Sequence, residues 1–128
     1  MAKSNRIFIS FAFEDVTLRD FIVGQAKHDK SPFSFVDMSV KQPWDEAWKA
    51  KCRTRIRGCD GVIGLVTGNT PYASGQLWEL DCAYAEGLPV LLMYGHTEER
   101  PTKLPAPING KRVLVWSWEN IANFLKKL

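Results

Sequence analysis

Glu79 is the side chain in this sequence best placed to do chemistry. It follows Trp78 in the stretch 61–87, GVIGLVTGNTPYASGQLWELDCAYAEG. A carboxylate held against an aromatic ring and partly withdrawn from water can stabilise an oxocarbenium-like centre, the charge that develops when a ribosyl bond breaks. Nicotinamide nucleotides suit such a site because the base leaves as a neutral molecule and needs no general acid. One acidic group then suffices. Phe11, Phe13 and Trp44 could stack on the bases. Plainer roles stand beside these. A glutamate near a helix start is favoured by the helix dipole, and Trp44, Trp48 and Trp78 suit core packing. Asp15 suits an N-cap, and Asn69 and Thr70 suit a turn.

Other chemistries fail on residue grounds. The segment SFAFED at 10–15 is apolar and acidic where a flavin phosphate would need a Gly/Ser/Thr-rich loop. Thr67-Gly68 stands where a phosphate-accepting receiver domain needs an aspartate. Neither G-x-G-x-x-G nor a Walker loop occurs. His28 and His96 have no matched nucleophile elbow. Cys52, Cys59 and Cys82 lack metal-ligand spacing, and no histidine pair supports zinc, so no metal site is expected.

The elements that must position Glu79 follow from apolar periodicity. Val62–Val66 is a short β-branched run that reads as a buried strand, and Thr67–Pro71 breaks it. From Ser74 a helix places Leu77, Trp78, Cys82 and Ala85 on one face, and Gly87-Leu88-Pro89 ends it. Upstream, 6–13 (RIFISFAF) is a first strand, followed by a helix to about Lys27 bearing Leu18, Phe21, Ile22 and Ala26. Phe33–Val36 is a second strand. Pro43 opens a helix over 43–57, with Trp44, Trp48, Cys52 and Ile56 at four-residue spacing. Pro89–Tyr94 and Arg112–Trp116 are the last strands, separated by a proline-rich loop over 95–110 that replaces a fourth helix or reduces it to a turn. Trp118–Leu128 closes the chain as an amphipathic helix.

Five short strands alternating with helices predict an α/β fold, a flavodoxin-like three-layer sandwich with a parallel sheet in the order 2-1-3-4-5. Ligands in such folds collect where the strand order reverses, at the carboxyl ends of strands one and three. Those ends carry Ser10–Asp15 and Thr67–Gly75, and the Glu79 helix adjoins both.

Composition bounds the remainder. The 128 residues make one domain, with five Trp and seven Phe to fill a core. A net charge of +3 is mild. Lys49, Lys51, Arg53, Arg55 and Arg57 read as a solvated helix face, without the aromatic interleaving of single-strand nucleic-acid binders. The start of the chain lacks the pattern of a secretory signal, and no segment approaches the roughly eighteen apolar residues of a membrane span. A cytoplasmic protein that binds neither nucleic acid nor membrane is expected.

With those residues laid out, RIFISFAFED and IRGCDGVIGLVTGNTPYASGQLWELDCAYAEGLPVLLMY together resemble the TIR-like family that includes the TIR proteins of Thoeris anti-phage systems. The likeness rests on an apolar-Ser-aromatic first strand ending in an acidic residue. It rests also on Trp78-Glu79 with Ala83 four residues beyond. The resemblance implies a TIR-like fold and cleavage of NAD, as substrate and not cofactor, at the nicotinamide–ribose bond, often with cyclisation to a signal nucleotide. It implies Glu79 as the catalytic residue, and Phe11, Ala12, Phe13, Asp37, Trp44, Thr67, Gly68 and Trp78 as the substrate-binding set. Self-association, or an effector reached through the nucleotide signal, is the implied partnership. Two other readings remain: a catalytically silent interaction module, and a nucleoside deoxyribosyltransferase-like enzyme.

Overall fold

The computed structural model describes residues 5–28, 33–36, 46–96, 100–101 and 103–128. Strands β1 (Asn5–Ser10), β2 (Phe33–Val36), β3 (Gly61–Val66) and β4 (Val90–Tyr94) alternate with helices α1 (Val16–His28), α2 (Glu46–Arg57) and α3 (Ser74–Ala85), and strand β5 (Leu114–Val115) and helix α4 (Trp118–Lys126) follow β4. The sheet runs β2-β1-β3-β4-β5, with every pairing parallel. Four strands carry it, and β5 adds a two-residue edge.

Alternation along the strands divides the core in two, because successive side chains leave opposite faces of a sheet. Ile7, Ile9, Ile63, Leu65, Leu91 and Met93 pack with Ile22 of α1 and with Ile121 and Leu125 of α4. Phe8, Val62, Val66 and Leu92 pack with Trp48, Cys52 and Ile56 of α2 and with Leu80, Cys82 and Ala83 of α3. The result is a three-layer α/β sandwich. Gly64 brings α3 close to the sheet: a Cβ there would lie 2.9 Å from Leu92 Cδ2 and 3.0 Å from Leu80 Cδ2. Gly87 ends α3 with φ of 73°, the left-handed conformation that glycine adopts without a steric penalty.

Two elements differ from expectation. β1 stops at Ser10 rather than running to Phe13, because the chain turns into a 3-10 helix over Phe13–Asp15. The fifth strand, expected over 112–116, is reduced to Leu114–Val115. Asn120 Nδ2 donates to the Val115 carbonyl at 2.7 Å, and Ser117 Oγ caps α4 by accepting from the Asn120 N–H at 3.0 Å, so helix geometry takes over early. The second helix is described from Glu46, and the expected opening at Pro43 lies outside the described residues. The described part of the proline-rich segment contains no helix but is anchored by Ile108, fully buried against the α2–α3 side. Among the described residues, no helix is long and apolar enough to cross a membrane.

Candidate functional site

The carboxyl ends of β1 and β3 meet α3 in a buried polar cluster. Gln76 and Glu79 lie three residues apart on α3, so both side chains project from one helix face. Both are fully buried, as is Ser10 at the end of β1. Ser10 Oγ donates to Glu79 Oε1 at 2.8 Å. Gln76 Nε2 donates to the Leu65 carbonyl of β3 at 2.7 Å and to the Ser10 carbonyl of β1 at 3.2 Å. The carboxamide therefore bridges the two central strands where their order reverses. Its Oε1 is buried without a hydrogen-bond partner. The two carbonyls fix which way the amide points, so this atom is held as an acceptor.

A second cluster closes the same end of the sheet. The Asp15 carboxylate, 5% exposed, accepts from Thr67 Oγ1 at 2.5 Å and from Asn69 Nδ2 at 3.0 Å. Thr70 Oγ1 accepts from the Thr67 N–H at 3.0 Å. These bonds tie the turn after β1 to the loop after β3. Asp15 is thus a tether between loops rather than the helix cap its position suggested, and Asn69 and Thr70 shape the loop as expected of turn formers.

The other expected site residues separate. Phe11 is buried in the α1–α4 side of the core, with the Arg19 guanidinium 5.4 Å from its ring centroid. Ala12 is fully buried. Phe13 is 62% exposed on the 3-10 turn. Thr67 is buried in the Asp15 cluster, and Gly68 is exposed beside it. Trp78 lies about 100° round the helix from Glu79. It packs on Trp48 of α2 with ring centroids 5.3 Å apart and carries the Arg53 guanidinium 5.6 Å above its ring. It also lines a 330 Å³ hollow with Asp81 and Pro107, which Glu79 does not line. Asp37 and Trp44 lie outside the described residues.

Enclosure decides what this carboxylate can do. A buried ionised carboxylate is costly unless hydrogen bonds replace its water, and Ser10 supplies one such bond. A buried, oriented carboxylate at the switch point is equipped to stabilise a developing cation, provided that a ligand can reach it. Ser10 and Gln76 are the partners that sequence reasoning passed over. Their signal was available, since Gln76 precedes Glu79 by one helical turn and Ser10 closes an otherwise apolar strand.

The cysteines act as packing groups. Burial pushes the Cys59 thiol up to about 11, against a smaller opposing effect of Arg6. Burial likewise raises Cys82, partly offset by Arg53. Both are protonated at neutral pH and poor nucleophiles. Among the described residues, no group of three or more His, Cys, Asp or Glu side chains could hold a metal ion. The basic face of α2 is solvated, with Arg57 bonded to Glu86 at 2.8 Å.

Among solved structures, the fold is similar to that of a prokaryotic SEFIR domain, with a TM-score of 0.51 and 14% identity over 97% of this chain and 95% of that one. At that identity the likeness shows the fold, which is TIR-like. No protein-family model matches the sequence, and no curated protein does.

Proposed function

We propose that this TIR-like domain cleaves NAD at the nicotinamide–ribose bond, with the Glu79 carboxylate stabilising the charge that forms on the sugar. One observation supports the reading most: a fully buried glutamate, oriented by Ser10, at the sheet position where ligands of such folds collect. In the proposed step the bond from the anomeric carbon to the ring nitrogen breaks. Its electron pair leaves with nicotinamide and neutralises the pyridinium charge. The ribosyl cation left behind is stabilised by Glu79 until water, or a hydroxyl or ring nitrogen of the same molecule, attacks it. Water gives ADP-ribose and internal attack gives a cyclic product; in either case a proton is released.

Access is part of the proposal. Glu79 is enclosed, so substrate enters only after the groups covering it move, and turnover is gated by that opening. Self-association that favours the open form would make activity rise with protein concentration. A nucleotide signal in anti-phage defence is the role consistent with the Thoeris resemblance. The test is nicotinamide release from NAD over a range of protein concentrations, with Glu79→Gln as control. Glutamine keeps an acceptor for Ser10, so the fold is retained while the charge is lost.

A silent interaction module is the second reading. It is favoured by the enclosure of Glu79 together with exposed apolar side chains around the same end of the sheet, Phe13 at 62% and Tyr72 at 87%. Under that reading Phe13→Ser and Tyr72→Ser abolish association, and NAD stays intact in every assembly state.

A further inference from the structure

The opposite end of the sheet carries a feature that the Glu79 chemistry leaves unused. The Val62 N–H donates to the Pro89 carbonyl at 3.0 Å, and the Gly95 N–H donates to the Val66 carbonyl at 2.9 Å. In a parallel ladder the residues at alternate positions face one neighbour. The main-chain groups of 89, 91, 93 and 95 therefore face β3, while those of Val90 and Leu92 face the β5 side. β5 pairs only through Met93↔Leu114 and Tyr94↔Val115, so the ladder stops before it reaches Val90. In its place is a hollow of 340 Å³ between β4, the chain entering β5, and α4. That volume falls within the range of small-molecule sites, about 300–1,000 Å³.

The lining has one charge sign. Arg112 stands on the strand side, and α4 contributes Asn120, Asn123, Phe124 and Lys127, one helical stripe. Among the described residues no carboxylate lines the hollow. Among the described residues neither Arg112 nor Lys127 is paired with an acid. Two cations and the unladdered main-chain N–H groups of Val90 and Leu92 give an excess of donors, to which Asn123 adds a carboxamide, while Asn120 Nδ2 already donates to the Val115 carbonyl. Phe124 and Leu114 add an apolar wall.

We propose that this hollow binds a small phosphomonoester. The phosphate is held between Arg112 and Lys127, and the organic body lies against Phe124. A phosphate group offers three strong acceptor oxygens and close to two negative charges, which matches this set of donors better than a single carboxylate does. The site is independent of Glu79, which lies at the other end of the parallel strands.

The test is an amide-resolved NMR titration of the full chain with inorganic phosphate, adenosine monophosphate and adenosine. The proposal expects phosphate and the monophosphate to move amides at 90–92, 112–114 and 120–127, the monophosphate binding more tightly and adenosine leaving them unmoved. Arg112→Gln with Lys127→Gln, both exposed positions, weakens the monophosphate about tenfold or more. Adenosine moving these amides as far as the monophosphate overturns the proposal. So does undiminished binding in the double variant, or no shift at these amides at millimolar phosphate.

Discussion

Removing the Ser10 hydroxyl tests whether Glu79 is held as a charged group. Ser10 and Glu79 are both fully buried, and the 2.8 Å bond joins a neutral donor to a carboxylate. A hydrogen bond to a charged group contributes about 1.5–3 kcal/mol, against about 1 kcal/mol between neutral partners. Ser10→Ala in the wild-type background therefore costs about 2–3 kcal/mol. In a Glu79→Gln background the same change costs about 1 kcal/mol, because the carboxamide still accepts but carries no charge. The double-mutant cycle then shows a coupling of about 1–2 kcal/mol. Urea unfolding reads it directly: with a slope of about 1–3 kcal/mol per molar for a domain of this size, Ser10→Ala alone lowers the midpoint by about 1 M. Equal costs in the two backgrounds would show that the hydroxyl does not serve the carboxylate, and the orientation argument would fail with it.

Other perturbations follow from the same geometry. Gln76→Leu leaves the Ser10 and Leu65 carbonyls without their side-chain donor and costs about 2–4 kcal/mol in urea unfolding; an unchanged midpoint would remove the strand-bridging role. Gly64→Val drives methyl groups against Leu80 and Leu92 and costs about 1–3 kcal/mol, with thermal melting as the check. Alkaline pH weakens the fold through Cys59. Burial holds its folded value at about 11, above a thiol's ordinary 9.0, so the unfolded chain loses its proton first. The associated stability is present below pH 9 and falls by about 1–2 kcal/mol as pH rises to 11. Cys59→Ala flattens that part of the stability–pH curve, and an unaltered slope would contradict the assignment.

The architecture was legible because apolar runs of four to six residues alternate with helical stripes, as in Val62–Val66 followed by Leu77, Trp78 and Cys82. The mixed α/β class and the parallel sheet follow from that alternation, while the TIR-like fold was implied by the resemblance and is shared with the SEFIR structure. The edges were less legible. Arg112–Trp116 reads as a strand by composition, yet the local bonds of Ser117 and Asn120 end it after Val115. Phe11–Phe13 continues the apolar run of β1 but leaves the sheet, because the Asp15 carboxylate is drawn 52 positions along the chain to Thr67. Periodicity carries no information about such a tether. For the site, the sequence indicated Glu79 and the sheet end where it lies. Its neighbours divide for a geometric reason: residues adjacent in a helix point about 100° apart, so Trp78 faces α2 while Gln76, one turn back, shares the Glu79 face.

The most direct measurement of the central claim is nicotinamide release from NAD by wild type and Glu79→Gln, matched for circular dichroism, melting temperature and state of association. The expected result is release by the wild type that increases as the chains assemble, and none by the variant. Equal release from both proteins, or intact NAD with the wild type in every assembled state, would contradict it.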